Sequence, residues 1–165
     1  IGGGAIGLLC ALILEKYKKC QEIILVEPNE KRLKVCSNYL DSDTLKPDNK
    51  RIMDNSFDLV FDTVGLEVTR QNSIKAVNPG GVIVHIGLTQ PSGTFNFRKA
   101  TLQEITFVGT YCYTNSDFEK TLSILSSNSL GKLEWIEYRE LNKGADAFKE
   151  IHNGTCSAPK IILIP

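Results

Sequence analysis

The sequence predicts an α/β chain built on a parallel, doubly wound sheet. Three observations predict it. Short β-branched runs alternate with segments of helical period over the first 112 residues. Four of those runs are near-continuous apolar stretches, as strands covered on both faces must be: "EIILVE" (22–27), "DLVFD" (58–62), "GVIVHIG" (81–87) and "ITFVGTY" (105–111). The chain also opens on a glycine-rich turn that leads directly into an apolar segment of helical length.

Ile1 reads as the last residue of a strand, Gly2-x-Gly4-x-x-Gly7 as a turn, and Ala5 onward as a helix. That helix is apolar nearly all round as far as Leu14, so it is buried on more than one side. The run 22–27 forms the second strand and ends in Glu27. "NEKRLKVCSNYL" (29–40) predicts a helix with Leu33, Cys36 and Leu40 on one face. "DTL" (43–45) is a short third strand. The twelve residues 46–57 then extend to about 40 Å, where three strand spacings need only about 15 Å. A crossover that short leaves room for a single helical turn at most.

Strand 58–62 leads into a helix over 66–77 that stops at "NPGG", and strand 81–87 follows. In "SGTFNFRKATLQE", Phe95 and Phe97 alternate with Thr94, Asn96 and Arg98. This period of two predicts a short edge strand over 94–97. After strand 105–111 the rhythm changes. "SDFEKTLSIL" predicts a helix with a capping box of Ser116 and Glu119 and an inner face of Phe118, Leu122 and Leu125. An extended piece near 136–139, a helix near 142–152 and the strand "KIILI" (160–164) complete the chain. The expected organisation is one domain over 1–113 and a separate tail over 114–165.

Bulk properties exclude several classes. The 165 residues carry 19 basic and 19 acidic side chains, so no net field points to nucleic acid or an anionic membrane. The longest apolar run, Ala5 to Leu14, is too short to span a bilayer and lacks the flanks of a signal peptide. The five cysteines (Cys10, Cys20, Cys36, Cys112, Cys156) show no CxxC and no Cys–His spacing suited to zinc. They read as free thiols in a reducing cytoplasm, or simply as small hydrophobes. His85, mid-strand, reads as a core or interface imidazole rather than a base. His152 suits the C-terminal end of a helix. No nucleophile–base pair and no proton relay is visible, so no catalytic residue and no metal ligand is assigned to this chain.

The glycine turn gains meaning from its context. Glu27 ends the second strand twenty residues after Gly7, the arrangement of a dinucleotide fingerprint. The first glycine permits a tight turn, the second lets backbone approach a pyrophosphate, and the third lets the helix lie close to the sheet. The helix N-terminus offers unpaired N–H groups and partial positive charge to phosphates. Glu27 can accept from both ribose hydroxyls and would repel a 2′-phosphate, which favours NAD over NADP.

In order, "GGGAIG", "VEPNEKR", "FDLVFDTVG", "NPGGVIVHIGL", "ITFVGTY" and "ADAFKEIHNGTCSAPKIILIP" resemble the zinc-dependent alcohol and polyol dehydrogenases of the medium-chain dehydrogenase/reductase family. The resemblance covers nearly the whole chain. It implies a Rossmann domain followed by a tail that returns to the catalytic domain. It also implies that the catalytic zinc ligands, and often a four-cysteine lobe, lie in an N-terminal half that precedes these residues. The chain then reads as the cofactor half of a larger enzyme. Residue 1 is not expected to be a natural start, because a missing central strand leaves neighbouring backbone groups without partners.

Residue by residue, the resemblance places the pyrophosphate on backbone at Gly4, Ala5 and Ile6, and the ribose on Glu27. It puts Arg32 beside the adenosine, Thr63 and Val64 near a ribose, and Ile86, Leu88 and Thr110 around the nicotinamide. Where polyol dehydrogenases of this type often carry an arginine before a tyrosine, this chain has Cys112 before Tyr113, which puts a sorbitol-like substrate in question. The reaction implied moves a hydride between NAD and a secondary alcohol, polyol or ketone, with this portion inactive alone. The implied assembly is a homodimer or tetramer joined through residues 94–97. Other readings stay open: a zinc-free quinone reductase of the same superfamily, an S-adenosylmethionine methyltransferase, and a non-catalytic NAD-sensing module. Glu27 weighs against the first, and "NPGGVIVHIG" leading into a further parallel strand weighs against the second.

Overall fold

The computed structural model describes residues 1–165. In chain order the elements are α1 (Ala5–Leu12), β1 (Ile24–Val26), α2 (Glu30–Ser37), β2 (Asp43–Leu45), β3 (Phe57–Asp62), α3 (Glu67–Ala76), β4 (Val77–His85), α4 (Phe97–Leu102), β5 (Thr106–Gly109), α5 (Asn115–Ser126), β6 (Ile136–Glu140), α6 (Gly144–His152) and β7 (Lys160–Ile164). Every strand pair is parallel: β1 with β2, β4 between β3 and β5, and β6 with β7. This is the alternating parallel α/β arrangement that the apolar runs predict. Residues 46–56 contain turns and no helix. No helix is long and apolar enough to cross a membrane. By internal contacts the chain divides into two compact units, Gly3–Lys46 with Tyr113–Pro165, and Ile1–Gly2 with Pro47–Cys112.

The unit that begins at Gly3 is organised around α1, which runs on through a π-helical turn over Ile13–Tyr17. Leu8 and Leu12 are fully buried with Leu25, Cys36, Leu40, Leu130 and Trp135. Burial of large apolar side chains of this kind stabilises the fold by about 1.5–3 kcal/mol each. Helix α2 starts where Asn29 accepts hydrogen bonds from the Lys31 and Arg32 N–H groups at 3.0 and 3.1 Å. Its predicted inner face is present in part: Cys36 is buried with Leu33 packed against it, while Leu40, also buried, lies beyond the helix, which ends at Ser37 rather than at residue 40. In the tail, Arg139 on β6 donates to Glu137 at 2.6 Å and to Glu150 of α6 at 2.7 Å.

Two expectations for α5 are corrected. The helix begins at Asn115, so its third position is Asp117 rather than Glu119. The capping box is therefore Thr114 with Asp117: the Asp117 N–H donates to Thr114 Oγ1 at 3.2 Å and the Thr114 N–H to Asp117 Oδ2 at 2.9 Å. The apolar stripe of Phe118, Leu122 and Leu125 exists but is uncovered, with exposures of 50%, 52% and 42%.

The other unit is a βαβαβ layer with Val60, Ile74, Val77 and Ile83 at its core. Ile1 lies beside β3, its carbonyl accepting from the Thr63 N–H at 3.1 Å. Strand β4 starts at Val77, earlier than predicted, and contains the "NPGG" stop. Gly80 takes a φ of +73°, so the turn is made within the strand.

The expected edge strand over 94–97 is not formed. Residues 92–96 join no ladder, and α4 begins at Phe97. Asn96 supplies the reason. Its side chain accepts from the Lys99 N–H at 2.9 Å and caps a helix where the alternating pattern predicts extended chain. Phe95 folds inward against the core, with ring centroids 5.1 Å from Phe97 and 5.4 Å from Phe107. Phe97 stays exposed.

Candidate functional site

In the unit beginning at Gly3, the glycine turn and the end of β1 form one constellation. Gly4 is the N-cap of α1 with extended backbone, and no side chain caps the helix. The first intrahelical bond runs from the Leu8 N–H to the Gly4 carbonyl at 2.9 Å. The N–H groups of Ala5, Ile6 and Gly7 therefore have no acceptor within the helix. A Cβ placed on Gly4 would meet nothing within 4 Å, so the space beside the N-cap is open. Gly7 is buried inside α1.

Glu27 follows β1 and is 4% exposed. Its Oε2 accepts from the Gly3 N–H at 2.7 Å and its Oε1 from the Asn29 N–H at 2.8 Å. Both distances lie in the charge-assisted range. Arg32 Nη1 stands 3.9 Å from Oε2, and the buried Arg32 Nε has no hydrogen-bond partner. The Cys36 thiol donates to the Gly3 carbonyl at 3.4 Å. Burial, aided by the Glu27 charge and opposed by Arg32, pushes that thiol up to about 11.

In the other unit, the residues after β3, β4 and β5 are tied together. Gly2 takes a φ of +102°, and a Cβ there would lie 2.6 Å from Val64 Cγ2 and 2.8 Å from Thr63 Oγ1. Thr63 Oγ1 donates to the Ile1 carbonyl at 2.8 Å. The Ile86 N–H donates to the Asp62 carbonyl at 2.9 Å, and the Thr110 N–H to the His85 carbonyl at 2.9 Å. Leu88 and Thr110 are exposed, and Cys112 is exposed rather than packed.

The expected residues thus fall into two sets. Gly4, Ala5, Ile6, Gly7, Glu27 and Arg32 share one unit, while Gly2, Thr63, Val64, Ile86, Leu88 and Thr110 share the other. Sequence reasoning missed Gly3, where a Cβ would lie 3.0 Å from Glu27 Cγ and 3.1 Å from Cys36 Sγ. It also missed Asn29 as a cap, and the fully buried Asp62. An acid closing the apolar strand "FDLVFD" was the available signal for Asp62. No group of three or more His, Cys, Asp or Glu side chains converges to hold a metal, so no step is assigned to zinc on these residues.

A family model described as zinc-binding dehydrogenase matches residues 5–127. The chain is 26% identical over 166 aligned positions to a probable D-xylulose reductase A of Neosartorya fischeri, covering 93% of this chain and 46% of that protein. It is 24% identical to D-xylulose reductase A of Aspergillus niger, with the same 93% and 46% coverage. Among solved structures, the alcohol dehydrogenase TADH from Thermus sp. ATN1 matches with a TM-score of 0.86 at 20% identity, over 99% of this chain and 49% of that one. Acetophenone reductase from Geotrichum candidum, solved in complex with NAD, matches with a TM-score of 0.82 at 18% identity, over 95% and 45%. The fold is therefore Rossmann-type, and the chain spans about half the length of the curated relatives it matches.

Proposed function

Since the chain belongs to the zinc-binding dehydrogenase family, we propose that it is the NAD-binding portion of an oxidoreductase acting on a secondary alcohol, polyol or ketone. The observation that carries this reading is the open N-terminus of α1 at Gly4, beside a charged Glu27 and an unpartnered Arg32 Nε. When bound, NAD supplies a hydride acceptor at its nicotinamide ring.

The chain's own groups bind and orient. The backbone N–H groups of Gly4, Ala5 and Ile6 donate to the pyrophosphate. Glu27 accepts from the adenosine ribose with the lone pairs that Gly3 and Asn29 leave free, and its charge opposes a 2′-phosphate. Arg32 Nε donates beside the adenosine. Thr63 and Val64 border the other ribose, and Ile86, Leu88 and Thr110 border the nicotinamide. Because the Ile86 and Thr110 N–H groups are already engaged, these two residues offer their carbonyl oxygens to a carboxamide. Residues 114–165 are the segment we assign to the catalytic domain, and zinc chemistry is assigned to residues outside this chain.

All five cysteines are free thiols, which supports a reducing cytoplasm as the location. The proposed assembly is a homodimer or tetramer joined through residues 94–97, with Phe97 as the exposed contact. Initial rates of the full-length enzyme with secondary alcohols test the reading. Turnover with NAD should exceed that with NADP by at least about tenfold, and residues 1–165 alone should show none. Equal turnover with NADP would refute the role of Glu27, and turnover by the isolated chain would refute the division of labour.

A further inference from the structure

Asp62 ends β3 with 0% exposure, and nothing in the reading above uses it. Burying a carboxylate is unfavourable unless hydrogen bonds replace water. Its Oδ1 accepts from the Val64 N–H at 3.0 Å and from the Gly65 N–H at 2.9 Å. Its Oδ2 accepts from Thr69 Oγ1 at 3.0 Å, and His85 Nε2 lies 3.6 Å from the same oxygen. Both Oδ1 donors belong to the loop 63–65. Thr69 in turn accepts from the Leu66 N–H at 3.0 Å, where that loop enters α3.

The rest of the loop is held just as closely. The Val64 carbonyl accepts from Thr89 Oγ1 at 2.6 Å, and the Gly65 carbonyl from the Gln90 N–H at 3.0 Å and Arg70 Nη1 at 2.9 Å. Gly65 has a φ of +74°, and a Cβ there would overlap the backbone of Gly87. The loops after β3 and β4 are thus in backbone contact. The Asp62 carbonyl also accepts from Ile86 and Gly87, at 2.9 and 3.1 Å. One residue therefore holds 64–65 through its side chain and 86–87 through its main chain.

The geometry points to Asp62 as a positioning residue for the nicotinamide half of the cofactor, one that acts by fixing Val64 and Gly65. This rests on the dinucleotide reading above. Asp62 touches no cofactor atom itself. Substituting its side chain leaves the Val64 and Gly65 N–H groups without their acceptor and leaves the main-chain bonds to 86–87 in place.

The test is calorimetric titration of the full-length protein with NADH and with ADP-ribose, which lacks the nicotinamide. Asp62→Ala should weaken NADH by about tenfold or more and ADP-ribose by less than about threefold. Asp62→Asn keeps an oxygen facing the Val64 and Gly65 N–H groups, and should recover most of the NADH affinity. A merely structural role would lower the number of competent sites and leave the affinity of the remaining sites unchanged, which would overturn the proposal. Should Asp62→Ala fail to fold, Thr69→Val removes the donor to Oδ2, together with the acceptor of the Leu66 N–H, and leaves both Oδ1 bonds in place. It should weaken NADH by about threefold and spare ADP-ribose; unchanged NADH affinity overturns the proposal. Wild-type protein that binds neither compound overturns the dinucleotide reading and this inference with it. That outcome is distinct from tight wild-type binding that Asp62→Ala leaves intact, which removes this inference alone.

Discussion

Replacing Glu27 with Gln leaves one acceptor oxygen where the structure uses two. The Gly3 and Asn29 N–H groups donate to separate oxygens, at 2.7 and 2.8 Å, around a side chain that is 4% exposed. A glutamine must turn its NH2 toward one of them, so one buried donor loses its partner at about 1–3 kcal/mol. The surviving bond loses its charge assistance, about 1 kcal/mol more. The expected loss for Glu27→Gln is thus about 2–4 kcal/mol, a large share of the 5–15 kcal/mol typical of a domain. Urea unfolding of the full-length protein, read as a fall in midpoint at constant slope, measures it. Glu27→Asp keeps both oxygens but withdraws them by one methylene, and should fall between. A Glu27→Gln protein within about 0.5 kcal/mol of wild type would refute the claim that this carboxylate anchors the glycine turn.

The Cys36 thiol, pushed up to about 11, should resist alkylation at neutral pH in the native state while exposed Cys20 and Cys112 react. Its folded value lies above the unfolded value near 8.5, so its contribution is complete below about pH 8.5 and is lost as pH rises toward 11. Cys36→Ala should flatten that alkaline loss, and an unchanged pH profile would contradict the assignment. Thr114→Ala should destabilise by about 1 kcal/mol while Ser116→Ala stays near neutral, because the box is Thr114 with Asp117; the reverse order in thermal unfolding would refute the observed cap. Phe97→Asp should weaken self-association in sedimentation experiments, since Phe97 is 73% exposed and Phe95 is packed inward. A dimer unaffected by Phe97→Asp would remove residues 94–97 from the interface.

The fold was legible where a residue's neighbours in sequence decide its state. Continuous apolar runs gave away the strands, and β2 and β7 lie at the predicted residues, but the expected cover on both faces is absent from β5, which is exposed along its whole length. The edge strand over 94–97 failed because a period of two competes with a local side-chain bond, and the Asn96 cap prevailed. The stripe on α5 was correctly periodic, but periodicity does not say what covers it. At the site, Glu27 stood out by its spacing from the glycines. Gly3 did not, because its requirement comes from Cys36 and Glu27, both distant in sequence. Asp62 stayed hidden because its donors lie just beyond its strand, in a loop whose geometry no pattern announces.

Calorimetric titration of the wild-type full-length protein with NADH and NADPH tests the central claim most directly. The open helix N-terminus at Gly4 and the charge of Glu27 predict saturable binding of NADH, at least about tenfold tighter than NADPH. No binding of NADH, or NADPH bound equally well, would contradict it.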